Sequence, residues 1–176
     1  MRFRATALLA TLCIPLPLSA ATMQQASLAE LAVDLAYDKC PKLNDDEIRL
    51  DGAEMKALGF VEALESRQHP RVGSIQIVGF KRGDSEIVIG TGSETTYCQV
   101  MVIGPQHVAA HAALRSNLDQ LGIDFAPDPA ISTSNEYSAV EGLSAKLDGM
   151  IVSVQFINGS GPGGQVAAFQ IFAMDQ

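Results

Sequence analysis

The sequence contains no tryptophan, and aromatic residues make up only 6% of it. Binding platforms for sugars or single-stranded nucleic acid depend on aromatic side chains, so neither function is expected. Basic residues are also scarce, with 12 Lys and Arg against 20 Asp and Glu. A chain with this excess of negative charge repels a phosphate backbone, and we therefore expect no nucleic acid partner.

Common catalytic motifs are also missing. The chain contains no GxSxG and no SxxK motif. Neither Cys40 nor Cys98 lies beside a histidine that could act as its base. No catalytic residue is therefore predicted, and a non-enzymatic function is favoured.

The first 21 residues have the composition of a secretory signal peptide. Arg2 and Arg4 precede a short apolar run over residues 5–18, and small residues follow up to Ala21. The run is too short to span a bilayer, and no later stretch is long enough. We therefore predict a signal peptide at 1–21 and a periplasmic or secreted mature chain at 22–176, with no stable membrane insertion after cleavage.

The predicted mature chain is strongly acidic. Removing residues 1–21 removes Arg2 and Arg4 and no acidic residue, which leaves ten basic and twenty acidic residues and a net charge of −10. Such a charge attracts a basic protein and accelerates the encounter with it. The alternative is that the acidity only keeps the protein soluble.

Cys40 and Cys98 are the two cysteines of the predicted mature chain. In an oxidising compartment an even pair of cysteines favours a disulfide, and two buried free thiols are the alternative. A bridge between them would join the end of the first predicted helix to the middle of the sheet.

Two helices are predicted before the first strand. Ser27 and Glu30 form a capping box, which starts a helix that runs to about Lys39 and ends at Cys40-Pro41. A second helix is predicted from Asp51 to about Glu65. Its apolar side would consist of Ala57, Leu58, Val61 and Leu64.

The remainder of the chain is mainly β-strand. Residues 73–80, 86–90 and 95–104 predict an antiparallel meander, and residues 105–121 predict a helix that begins with proline and ends before a glycine. Strands over 137–147, 150–157 and 166–174 complete the pattern, and the first of them is expected to be interrupted near Gly142. The sequence therefore predicts one α+β domain. It has an antiparallel sheet of about five to six strands (meander, crossing helix, C-terminal hairpin), with the N-terminal helices on one face and one disulfide.

Residues 95–104 are predicted to form the central strand. Cys98, Val100 and Val102 alternate with the other residues of the strand and therefore share one face, which the disulfide assigns to the helices. The opposite face is expected to be partly open and is our first candidate for binding a partner or ligand. Its residues on this strand are Tyr97, Gln99, Met101 and Ile103.

Two further segments are candidate sites. His107 and His111 stand four residues apart in the crossing helix, which lets two imidazoles bind one metal ion. A zinc or copper site here would take a third ligand from Asp124, Asp128 or His69. The alternative is that the imidazoles form bonds to the backbone or to solvent. The glycine-rich segment 158–164, which includes Gly161 and Gly163, is expected to be a mobile hairpin loop that can contact a partner.

These observations favour an exported, non-enzymatic binding or interaction protein. Its most specific form is an inhibitor or immunity protein for a basic secreted enzyme. The alternative is a metal-binding protein or metal-dependent hydrolase that uses His107 and His111. A third hypothesis is a protein that holds a small apolar ligand between its helices and its sheet.

Overall fold

The computed structural model of the protein describes residues 26–69, 72–93, 95–161 and 164–175. The predicted signal peptide at 1–21 lies outside these residues. The helices are α1 Leu28–Asp34, a π-helical segment Leu35–Lys39, α2 Cys40–Asn44, α3 Ala53–Leu58, α4 His107–Ser116 and a 3-10 turn Leu118–Leu121. The strands are β1 Glu65–His69, β2 Gly73–Arg82, β3 Ser85–Gly92, β4 Tyr97–Ile103, β5 Ala126–Pro127, β6 Thr133–Ser134, β7 Ser138–Leu147, β8 Met150–Gly161 and β9 Gly164–Asp175.

All of these strands belong to one antiparallel sheet. Its order is β1-β2-β3-β4-β9-β8-β7-β5, and β6 also pairs with β7. The predicted α+β class is confirmed, as are the meander (β2 to β4) and the C-terminal hairpin (β8 and β9). The predicted strand count was too low, because the described residues form a sheet of nine strands. The short strands β1, β5 and β6 account for most of the difference.

The first helix begins as predicted but continues beyond Pro41. Ser27 and Glu30 form both hydrogen bonds of the capping box. Proline lacks an N–H and its ring conflicts with the carbonyl four residues earlier, which normally ends a helix. Here the turn before Pro41 widens into the π-helical segment, where the Cys40 N–H bonds to the Leu35 carbonyl. The wider turn lets the chain continue as α2, so the predicted end at Cys40-Pro41 was wrong.

The second predicted helix is only six residues long. Helix α3 ends at Gly59, whose φ of 110° is the left-handed conformation that favours glycine. The predicted apolar side is therefore wrong in part, since Ala57 and Val61 are exposed while Leu58 and Leu64 are half-buried. The chain then turns into β1, which pairs with β2 at the edge of the sheet.

The C-terminal strands are longer than predicted. Strand β7 is continuous across Gly142, where the sequence suggested an interruption. Much of the predicted glycine-rich loop belongs to strands, because residues 158–161 extend β8 and Gly161 pairs with Gly164 of β9. Gly163 lies outside the described residues.

The helices cover one face of the sheet, which we call the helix face. Cys98, Val100 and Val102 are fully buried there, as the alternation along β4 predicted. Phe169 of β9 packs edge-to-face on Tyr37 with ring centroids 5.3 Å apart. The Tyr37 hydroxyl donates a hydrogen bond to the Leu114 carbonyl of α4, which ties the first helix to the crossing helix.

The predicted disulfide between Cys40 and Cys98 is confirmed. The two Cα atoms are 5.7 Å apart and the bridge spans 58 positions of sequence. It joins α2 to the central strand within the core of the helix face. None of the helices in the described part of the chain has the length and apolar character needed to cross a membrane.

Candidate functional site

The side of the sheet opposite the helices, which we call the second face, has a core of its own. Tyr97 and Gln99 are 0% and 5% exposed, whereas Met101 and Ile103 are half-buried. The expectation of a partly open face was therefore wrong for Tyr97 and Gln99. A small apolar cluster surrounds Tyr97, and its buried members are Ile75, Ile77, Val88, Tyr97 and Phe172.

A cavity of about 280 Å³ lies next to this cluster on the second face. Most of its lining is apolar, with a few polar side chains among it. A cleft beside Arg49 and a depression beside Tyr137 have similar volumes, but both are more open and have mainly polar linings. The cavity is lined by His69, Val72, Thr95, Tyr97, Ile131, Gln155, Gln170, Phe172, Ala173 and Met174.

One wall of the cavity comes from the segment 128–132 between β5 and β6, which we call the strap. The Asp128 N–H donates to the Gly142 carbonyl at 2.9 Å, and the Gly142 N–H donates to the Ser132 hydroxyl at 2.9 Å. The Gln155 amide donates to the Ile131 carbonyl at 2.7 Å. These bonds hold Ile131 against the second face, where it packs on the Tyr97 cluster.

Gly142 of β7 is the position at which the strap meets the sheet. A Cβ atom there would lie 2.4 Å from the Ile131 Cγ1 and within 2.9 Å of the Ile131 backbone. Real Cβ atoms do not approach other atoms this closely, so a side chain at Gly142 would displace the strap. The glycine is required for close approach of the two backbones.

Three glutamines form a row across the second face. Gln99 of β4 is in register with Gln170 of β9, which is in register with Gln155 of β8. The Tyr97 hydroxyl donates to Gln99 Oε1 at 2.8 Å, and Gln170 Nε2 lies 3.5 Å from the same oxygen. Burial raises the pKa of the Tyr97 phenol, which therefore stays protonated as a donor at neutral pH.

The two histidines of α4 lie on the helix side of the sheet, away from the cavity. Nδ1 of His107 is 3.0 Å from the Gly104 carbonyl, which can only accept, so Nδ1 donates this bond. His111 is half-buried, and burial lowers the pKa of its imidazole. A bond from His107 to the backbone is what we expected if the two histidines do not bind a metal ion.

Two of the three possible third ligands of a metal site have contacts elsewhere. Asp128 accepts from the Ser144 hydroxyl at 2.7 Å, and the His69 ring lies 5.0 Å from the Tyr97 ring on the second face. Asp124 lies beside β5 and β7, along a shallow groove. Within the described ranges, no group of three or more His, Cys, Asp or Glu side chains could hold a metal ion. The zinc or copper site stays a prediction, and no described residue completes it.

The structure brings together some of the predicted site residues but not others. Tyr97 lines the cavity and Gln99 supports it, whereas Met101 and Ile103 lie one and two rows further along the second face. Gly161 is the last residue of β8, where it pairs with Gly164 of β9, and it does not line the cavity.

Sequence reasoning missed Gln155, Gln170, Phe172 and Ile131 as site residues. The sequence did contain a partial indication, since Ser153 and Gln155 alternate with Val152, Val154 and Phe156 in a strand that is otherwise apolar. Alternation shows that such residues share a face, but it does not show which strands are neighbours. The row of glutamines becomes visible only when the register of β4, β9 and β8 is known.

Comparison with known proteins provides no relative from which a function could be transferred. No protein-family model matches this sequence, and no curated protein and no solved structure matches it either.

Proposed function

We propose that the mature chain is an exported, non-enzymatic binding protein that holds a small, mostly apolar molecule in the cavity on the second face. The cavity itself is the observation that carries this proposal, because a partly enclosed, mostly apolar lining with a few polar groups is typical of ligand sites. Its volume of about 280 Å³ lies between the ~150 Å³ that holds benzene and the range of drug-sized sites. One or two fused rings would fit.

The character of the lining supports binding in preference to catalysis. The described residues that line the cavity include no carboxylate and no cysteine. Its histidine, His69, lies against the Tyr97 ring. The other polar side chains of the described lining are Tyr97, a threonine and two amides, none of which titrates near neutral pH. Such groups orient a ligand through hydrogen bonds.

Two features support an exported protein. The first 21 residues have the basic, apolar and small-residue regions of a signal peptide. The Cys40–Cys98 disulfide is a kind of bond that persists in oxidising compartments such as the periplasm.

Indole and benzofuran are suitable probes for this proposal, because each has two fused rings and no charge. We expect each to bind the mature protein with a dissociation constant of about 0.1–1 mM, as estimated from the affinity available to nine non-hydrogen atoms. Since the chain contains no tryptophan, a fluorescence titration reports indole alone. The affinity of benzofuran follows from its displacement of indole.

A matched pair of variants shows whether these probes bind in the cavity. Val72→Phe adds a ring at the lining, whereas Val61→Phe makes the same change at a position that is 72% exposed. We expect Val72→Phe to weaken binding at least tenfold and Val61→Phe to leave it unchanged. Absence of binding to the unmodified protein, or equal binding to both variants, would contradict the proposal.

The acidity of the chain motivates a second binding function, directed at a basic protein such as a secreted enzyme. The predicted mature chain carries a net charge of −10, and attraction between opposite charges weakens as salt screens it. We expect the immobilised protein to retain a stoichiometric basic protein from periplasmic extract at low salt and to release it at high salt. If no such protein is retained at low salt, this second function is wrong.

A further inference from the structure

The orientation of the Gln155 amide determines which polar atom it offers to the cavity. Its Nε2 lies 2.7 Å from the Ile131 carbonyl of the strap. A main-chain carbonyl can only accept a hydrogen bond, so the atom that faces it must be the nitrogen. Gln155 Oε1 therefore points away from the strap, and it accepts no hydrogen bond from any described residue.

The Gln170 amide also directs its nitrogen at an acceptor of the protein. Its Nε2 is directed at Gln99 Oε1, which also accepts the hydrogen bond of the Tyr97 hydroxyl. The Tyr97 hydroxyl proton and one proton of the Gln170 amide therefore both point to Gln99 Oε1. Gln170 Oε1, like that of Gln155, has no donor among the described residues.

These two oxygens are in contact with solvent and are not sealed inside the protein. Among the buried side-chain nitrogen and oxygen atoms of the described residues, only Arg82 Nε lacks a hydrogen-bond partner. An unbonded Oε1 of Gln155 or Gln170 must therefore be accessible, and both residues line the cavity. Oε1 of Gln155 and Oε1 of Gln170 are therefore two hydrogen-bond acceptors that a ligand in the cavity can use.

We infer that the ligand of this cavity is a neutral aromatic molecule of one or two rings that donates an N–H or O–H hydrogen bond to Gln155 or Gln170. The inference rests on the proposed function. The apolar lining with Tyr97 and Phe172 accommodates the rings, and the free amide oxygens require a donor. A carboxylate ligand is disfavoured, because it would face acceptor oxygens and no Lys or Arg among the described lining residues.

Indole and benzofuran test this inference, because they have the same size and differ in the N–H group. We expect indole to bind about 5–10-fold more tightly, which is the effect of one net hydrogen bond. We expect indole-3-carboxylate, which is an anion at neutral pH, to bind at least tenfold more weakly than indole. Competition against indole fluorescence measures all three affinities on the same mature protein.

Three variants locate the acceptor. Gln155→Met and Gln170→Met each remove an amide oxygen, and Gln165→Met makes the same change at an exposed position of β9 outside the cavity. We expect the preference for indole over benzofuran to disappear in at least one of the first two variants and to persist in Gln165→Met. A general weakening of the site lowers the affinities for indole and benzofuran together and leaves their ratio unchanged. A change in this ratio therefore indicates the loss of a donor–acceptor contact and not a loss of structure.

The outcomes for the inference and for the proposed function are distinct. If benzofuran binds the unmodified protein as tightly as indole, or if both cavity variants keep the preference for indole, the inference is overturned while the proposed function stands. If neither compound binds, the proposed function itself fails, and the inference fails with it.

Discussion

Replacing Cys40 and Cys98 by alanine is expected to lower the free energy of unfolding by about 4 kcal/mol. The disulfide closes a loop of 58 positions, and its loss lets the unfolded chain explore many more conformations. Both cysteines are fully buried in the core of the helix face, so the variant also loses packing around the two sulfur atoms. Urea denaturation of the mature protein, followed by circular dichroism, measures the difference.

The single variants are the control for this prediction. Cys40→Ala and Cys98→Ala each break the same bridge, so each is expected to lose nearly as much stability as the double variant. Adding a reductant should then destabilise the unmodified protein but not the double variant. A loss below about 1 kcal/mol in the double variant would contradict this role of the disulfide.

Replacing Gly142 by valine is expected to cost about 3 kcal/mol of stability and to weaken indole binding at least tenfold. The new Cβ would lie 2.4 Å from Ile131 Cγ1, and backbone atoms of Ile131 are within 2.9 Å. Because backbone atoms cannot rotate away as a side chain can, the strap has to lift from β7. Lifting it breaks the bond between the Gln155 amide and the Ile131 carbonyl and removes one wall of the cavity.

Ala139→Val is the matched control, because Ala139 lies three positions earlier in β7 and is exposed. We expect this variant to change stability by less than about 0.5 kcal/mol and to bind indole normally. Urea denaturation and the fluorescence titration apply to both variants. Similar behaviour of Gly142→Val and Ala139→Val would show that the strap does not depend on close approach at Gly142.

Features of the fold that depend on neighbouring residues could be predicted from the sequence. The capping box at Ser27 and Glu30 begins the first helix, and the alternation along β4 placed Val100 and Val102 on the helix face. A cap acts within one turn, and side chains alternate along any strand. The pairing of Cys40 with Cys98 was predicted by elimination, since no other cysteine lies beyond residue 21.

The errors arose where a local preference competed with the surrounding structure. Pro41 should end a helix, yet the widened π-helical turn before it lets α2 continue. Gly59 falls inside the predicted second helix, but in the fold it ends a short helix and lets the chain turn towards β1. In both cases the local sequence identified an irregular position without showing which of two conformations the tertiary structure selects.

The sequence by itself determined the class of the fold, the disulfide and the two sides of the central strand, because these follow from short-range periodicity and from residue counts. Only the tertiary structure decided what lies on the second face. Gln99 and Gln170 are 71 positions apart, and Ile131 meets Gly142 through a strap that belongs to neither flanking strand. Such contacts depend on strand order and register, which the burial of the whole sheet selects and no single segment encodes. The second face, which was predicted to be open, is therefore partly covered by the strap and contains a cavity.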